Sequence, residues 1–211
     1  MNKIKIQSPK IPTYLESAHF EDMEDRYLSV CTISDCTIFE EEINRMRFDQ
    51  VVFKNVTFMD VTFTNIELTD VIFEKCDLSN TDFSGAAIHR VEFIESKLLG
   101  LNLTEATLGN VLFDNCFANL SSFGYASLKN VQFEKCSLRN GDFFECKFNK
   151  INFTDCDLVE ANFTNTPLDG IDLSSCKIDQ LSLSPGDLKG CVVSTEQAIA
   201  FARLLGLVIK E

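Results

Sequence analysis

The chain has 211 residues, 45% of them hydrophobic, enough to build the core of one domain. Its formal charge of −13 disfavours DNA, RNA or anionic lipid as direct partners and admits a basic protein surface. No apolar run reaches the ~18 residues of a membrane span. The N-terminus shows no apolar leader, so the nine cysteines are expected to be reduced thiols in the cytoplasm.

Residues 1–17 carry Pro9 and Pro12 and show no periodicity, which reads as an arm or an N-terminal cover. Leu28, Ile33, Ile38 and Ile43 then begin a step of five, although Arg26 and Glu41 fall in an otherwise apolar place, so the first coil or two are expected to be irregular. From Phe48 to Val193 the step reaches thirty positions, and all are Phe, Leu, Ile or Val except Ala118. The place two residues earlier (Met46, Val51, Val56, Val61, Ile66 and onward) carries no charge over the same span. A helix repeats near 3.6 residues and a strand at 2, so neither alone accounts for this pattern. Two residues in five face inward and three face water.

Like residues recur every twenty. Phe53, Phe73, Phe93, Phe113, Phe133 and Phe153 form one column, a core ladder; Phe63, Phe83, Phe123, Phe143 and Phe163 form another, interrupted by Leu103. Four five-residue units per coil give a solenoid of square cross-section. Successive coils hydrogen-bond at ~4.8 Å, and the hand expected of parallel crossovers is right. The fold class is therefore an all-β solenoid over 18–193, with a short C-terminal helix beyond it.

All nine cysteines occupy the small inward place, and Cys116, Cys136, Cys156 and Cys176 share one column. Cysteine behaves there as a small apolar residue. Parallel stacked side chains suit neither a disulfide nor the converging ligands of zinc. No metal or cofactor is expected. His19 and His89 lie far apart, and no nucleophile set or phosphate loop occurs, so the chain reads as non-enzymatic. Aspartates just before inward centres, such as Asp77, Asp82, Asp142 and Asp157, have two readings: hydrogen bonds to nearby backbone, or a partner surface.

The side centred on 63, 83, 103 and so on to 183 carries no Lys or Arg but holds Asp82, Glu105, Asp142 and Glu145, a candidate acidic partner-binding face. The side centred on 48 is near neutral. One unit is weak: in "CFANL" (116–120) Ala118 is the centre, and Phe117 and Leu120 fall in outward places. Either the backbone bulges there or a small apolar patch faces water, as a partner contact.

Residues 194–211 break the frame. Ser194 with Gln197 resembles a capping box, and Ala198, Ile199, Ala202 and Leu205 fit one helical face. Gly206 would end the helix, and Leu207, Val208 and Ile209 read as a short strand. The segment is either a plain cap or a cap that also forms a two-fold dimer, through Ile199, Phe201, Ala202, Leu205, Leu207 and Ile209.

"ANFTN" (161–165), "TDFSG" (81–85) and "CDLSN" (76–80) resemble the pentapeptide repeat, which implies a right-handed quadrilateral parallel β-helix and fixes no function by itself. The tail "EQAIAFARLLGLVI", with Gln197, Ala198, Leu205, Gly206 and Leu207, is similar to the ending of the Qnr quinolone-resistance proteins. That resemblance implies a homodimer that mimics DNA, binds DNA gyrase and topoisomerase IV, and lessens quinolone action, with gyrase inhibition at higher concentration. Many Qnr proteins carry loops that break the frame, and here the frame runs from 48 to 193 without a slip. Thirteen net charges on a rod of roughly nine coils, about 43 Å, give about one per 3.3 Å, half the density of duplex DNA. Shape and specific contacts must then contribute too. Other readings are a structural scaffold with an unrelated partner and an immunity factor against a gyrase-directed toxin.

Overall fold

The computed structural model describes residues 5–23, 25–204 and 206–210. The strands are β1 (Glu16–Ser17), β2 (Tyr27–Ser34), β3 (Thr37–Phe39), β4 (Arg47–Lys54), β5 (Thr57–Met59), β6 (Glu67–Glu74), β7 (Ala87–Ile94), β8 (Thr107–Asp114), β9 (Ser127–Glu134) and β10 (Lys147–Thr154). Among the described residues one α-helix, α1 (Thr195–Leu204), follows the strands, with short 3-10 turns at Phe20–Asp22 and Pro185–Leu188. An eight-stranded parallel sheet runs β1-β2-β4-β6-β7-β8-β9-β10, and β3 pairs with β5. From β2 onward partners are twenty residues apart, as in Phe73↔Phe93 and Phe93↔Phe113, while β1 meets β2 at an offset of fifteen, Glu16↔Cys31. Isolated bridges continue the same register on the other sides, from Thr57↔Asp77 to Asp157↔Lys177 and from Glu42↔Thr62 to Asn162↔Ser182. The molecule is an all-parallel β-solenoid with four walls: A centred on 48, 68 and so on, B on 53, C on 58 and D on 63.

From Met46 to Leu181 the inward places are buried apart from Phe148, while those near the two ends, such as Cys36, Ile43, Leu183 and Leu188, are half-buried. The predicted Phe ladder stacks ring over ring. Phe93–Phe113 centroids lie 4.8 Å apart at 3°, and Phe113–Phe133 centroids 4.7 Å apart at 5°. Phe columns on walls B and D meet edge-on, as in Phe123–Phe133 at 5.8 Å. The small inward place has a chemistry of its own. Its thiol or hydroxyl reaches the carbonyl of the inward centre 23 residues earlier: Cys116 Sγ to Phe93 O (3.2 Å), Cys136 Sγ to Phe113 O (3.3 Å), Ser96 Oγ to Phe73 O (3.2 Å) and Ser121 Oγ to Leu98 O (2.7 Å). That accounts for cysteine and serine where valine also fits.

The corner is the residue two past each centre, and it is left-handed through most of the rod, as at Asn55 (φ 52°), Asn80 (φ 58°) and Asn130 (φ 54°). Small polar residues tolerate this backbone and glycine adopts it freely. Gly85 and Gly100 also leave room: a Cβ on either would lie 2.6 Å from the Asn Oδ1 one rung below. The non-glycine corners with positive φ are polar or charged, apart from Val30, Leu120 and Tyr125.

The arm lies along the outside of the rod at the corner between walls A and B. Gln7 N–H donates to Asn110 Oδ1 (3.2 Å), Lys10 N–H to Asp70 Oδ1 (2.8 Å), and Gln50 Nε2 to Lys10 O (2.8 Å), before β1 joins β2. Ile11, Pro12 and Leu15 line a groove with the outward side chains Val52, Ile72 and Ile94 of wall B. Beneath the arm the Asp70 carboxylate is buried and receives Arg90 Nε and Nη2. Burial works to raise the Asp70 pKa, but the Arg90 guanidinium and the Lys10 N–H hold it below the usual carboxylate value. At the lower end of the rod Phe20 is buried, its ring stacked 5.9 Å from Phe63.

Near the upper end the sheet stops at β10. Walls C and D continue upward through Asp157↔Lys177 and Asn162↔Ser182. On walls A and B, among the described residues, no rung-to-rung backbone bond joins 147–154 to 167–174. Pro167 stands where the ladder needs an N–H, and it has none to give. Phe148, an inward centre facing this seam, is only half-buried.

The expected capping box is present: Ser194 N–H donates to Gln197 Oε1 (2.7 Å) and Gln197 N–H to Ser194 Oγ (3.2 Å). Gly206 (φ 81°) ends α1, with Leu207 N–H returning to Ala202 O (3.0 Å). Two tail expectations need correction. Residues 207–209 form no strand: the Leu207 N–H turns back to Ala202 O, and among the described residues no bridge joins the segment to a rung. The face expected to pack also differs: Ala198 and Ile199 are exposed, while Gln197 and Phe201 turn to the rod. Gln197 Nε2 donates to Leu173 O and Cys176 O, both 2.8 Å, closing carbonyls that no further coil would meet.

Candidate protein-interaction surface

The outward side of wall D is built from three columns. The residues before the centres include Asp82, Asn102, Ser122, Asp142 and Asn162, bridged in register. Asp82 Oδ1 accepts from Ser84 N–H (2.8 Å) and Asn102 Nδ2 (2.9 Å), and Asp142 Oδ1 from Phe144 N–H (3.1 Å) and Asn162 Nδ2 (2.9 Å). The backbone bonds recur at Asp77, Asp157 and Asp172, each carboxylate accepting the N–H two residues on. The backbone reading of these aspartates thus holds at Asp77, Asp82, Asp142 and Asp157, and of the four only Asp82 and Asp142 lie on wall D.

Glu105 and Glu145 belong to the corner column, twenty residues either side of Tyr125. Both are exposed, and Glu145 Oε1 accepts from Asn165 Nδ2 (3.3 Å). From 82 to 165 the outward places of wall D contain no Lys or Arg. Elsewhere the coil register pairs acids with bases: Arg47–Glu67 at 2.9 Å, Lys54–Glu74 at 3.5 Å, Lys75–Glu95 at 3.8 Å, Lys97–Asp77 at 3.0 Å and Arg139–Asp157 at 3.3 Å. Among the described residues no salt bridge reaches Asp82, Glu105, Asp142 or Glu145, and the rungs directly above and below them on wall D carry no Lys or Arg.

At the weak unit the backbone does not bulge. Phe117 bridges Lys97 and Ser137, and Ala118 is buried. Phe117 and Leu120 are therefore 45% and 61% exposed on the surface of an intact coil. Beside them on wall D are Tyr125 and Phe144, 5.4 Å apart edge to face. Neither was singled out from the sequence, although an aromatic residue at a corner and another in an outward place are visible departures from the repeat. At the C-terminus Ile199, Leu207, Val208 and Ile209 are exposed, and Ala202 is half-buried. Phe201 packs against the rod, so it serves the chain's own core, and Leu205 lies outside the described residues.

A family model for the pentapeptide repeat region matches residues 66–133 and 126–197. The chain belongs to the pentapeptide repeat family. This pentapeptide repeat protein is 49% identical over 211 residues to the uncharacterized protein YisX of Bacillus subtilis (strain 168), covering 99% of this chain and 100% of that one. Among solved structures, a trypsin-treated form of QnrB1, a plasmid-mediated fluoroquinolone resistance protein, is 17% identical, with 85% of this chain and 100% of that chain covered and a TM-score of 0.39. HetL, a pentapeptide repeat protein involved in heterocyst differentiation regulation from Nostoc sp. strain PCC 7120, is 15% identical, with 79% and 89% covered and a TM-score of 0.35.

Proposed function

We propose that this pentapeptide repeat protein is a non-catalytic, cytoplasmic, homodimeric rod whose wall D docks on the basic DNA-handling surface of DNA gyrase or topoisomerase IV and lessens quinolone action. The uncompensated carboxylates of wall D carry the reading. Asp82, Glu105, Asp142 and Glu145 spread over four successive rungs spaced ~4.8 Å, with no acid on the rung of Tyr125, so the wall offers negative charge along one side, more sparsely than a nucleic-acid backbone does. The similarity of the tail to Qnr endings adds to it. The mechanism is competition with DNA and drug at the cleavage site, passing into gyrase inhibition at higher concentration.

A second reading is a scaffold for an unrelated basic partner. The unbroken twenty-residue register favours it, because no loop projects from the coils over the bridged span. Gyrase supercoiling with a quinolone, titrated with this protein, separates the two. Rescue of supercoiling, weakening as salt screens the wall, supports the first. Neither rescue nor inhibition at any concentration leaves the scaffold.

A further inference from the structure

Tyr125 is the large aromatic among the left-handed corners (φ 61°), a backbone that gives an aromatic residue no advantage. The residue is 54% exposed. Backbone bonds fix its neighbours: Glu105 N–H donates to Gly124 O (2.9 Å), Tyr125 N–H to Phe144 O (2.8 Å) and Glu145 N–H to Thr164 O (3.1 Å). One glutamate thus stands a rung below the tyrosine and the other a rung above. Phe144 closes one side edge-on, at 84°. Gly124 puts no side chain between the rings and Asp142, whose Oδ2 lies 3.6 Å from where a Cβ would stand.

We propose that Tyr125, Phe144, Glu105 and Glu145 receive an arginine side chain of a basic protein partner, the guanidinium lying on the tyrosine ring with its N–H groups donating to the carboxylates above and below. A planar cation satisfies ring and carboxylates together. An apolar partner would bury the carboxylates unpaired. A phosphate backbone would meet like charge. A single metal ion would have to draw the two carboxylates to within about 5 Å of each other across the ring. A guanidinium donating from opposite sides holds them roughly 8 Å apart, closer to the ~9.6 Å that separates their corners two rungs apart. The inference rests on wall D being the docking wall, and not on the partner being a topoisomerase.

The probe is a fluorescein-labelled heptamer of arginine, compared by anisotropy with the matching citrulline heptamer. The key variant is Tyr125→Asn. Asparagine suits a left-handed corner, so its thermal midpoint is expected at or above that of the unaltered chain. Arginine peptide should bind more tightly than citrulline peptide and lose about 3- to 5-fold in affinity in Tyr125→Asn. Glu105→Gln with Glu145→Gln should weaken it further and flatten its salt dependence, while Asp169→Asn on wall A should change nothing. Tyr125→Asn binding within a factor of about 1.5, or an equal loss in Asp169→Asn, overturns the proposal. If gyrase gives no response while the peptide follows this pattern, the topoisomerase reading falls and this one stands. If gyrase is protected equally by Tyr125→Asn, this one falls.

Discussion

Removing the Phe133 ring tests the packing on which the rod depends. The ring is fully buried, stacked on Phe113 at 4.7 Å and Phe153 at 5.0 Å, and met edge-on by Phe123 and Phe143. Returning a buried Phe to water loses ~1.5–3 kcal/mol. Truncation to Ala leaves a void on the order of 100 Å³, and at ~24 cal/mol per Å³ that adds about 2 kcal/mol. The rungs above and below are held by parallel backbone ladders through β8, β9 and β10, so the void cannot collapse cheaply. Phe133→Ala should therefore cost about 3–5 kcal/mol, and Phe133→Leu less than ~1.5 kcal/mol, since leucine fills inward centres elsewhere. Denaturant unfolding followed by circular dichroism gives the totals. Hydrogen exchange should show the loosening concentrated on the rungs next to 133, because each coil touches only its neighbours. A cost below about 1 kcal/mol for Phe133→Ala, or loosening spread evenly along the rod, would refute this account of the core.

Asp70→Asn should loosen the arm, seen as faster proteolysis near Lys10, with a loss of about 1–3 kcal/mol. Because the Asp70 pKa is depressed, its contribution is present above the unfolded carboxylate value near 4 and fades as pH falls through its lower folded value; the cleavage rate should stay flat from about pH 5 to 8. With a thiol reagent at about pH 8, the half-buried Cys36 and Cys191 should react first. Burial pushes Cys76 and Cys146 up to about 12, so these thiols should react only on unfolding, and rapid labelling of either in the native protein contradicts the packing. Across the seam at β10, the amides of Phe148, Lys150 and Phe153 should exchange faster than those of Leu128, Asn130 and Phe133, which hold the equivalent places one rung below; equal protection would mean that the ladder is closed there. Leu207→Glu with Ile209→Glu should reduce a dimer to half its mass in light scattering while leaving the cap formed by Gln197 and Phe201 in place; an unchanged dimer mass places the contact elsewhere.

The coil was legible because its causes are local and repeated. An inward residue every fifth place, with like residues every twenty, admits one way of burying them, and the Phe73, Phe93 and Phe113 ladder stacks accordingly. The acidic wall was legible for the same reason, since position in the frame assigns each charge to a side. The capping box of Ser194 and Gln197 could also be read, being a bond between near neighbours. The rest depended on contacts between parts without a shared period. The arm's seat on Asp70 and Asn110 joins residues 60 and 103 apart. Whether Ile199 or Phe201 turned inward depended on how α1 met the last coil, because a short helix has apolar residues on more than one side. The pairing of Tyr125 with Phe144 and the glutamates arises only when rungs stack, which places residues twenty apart side by side.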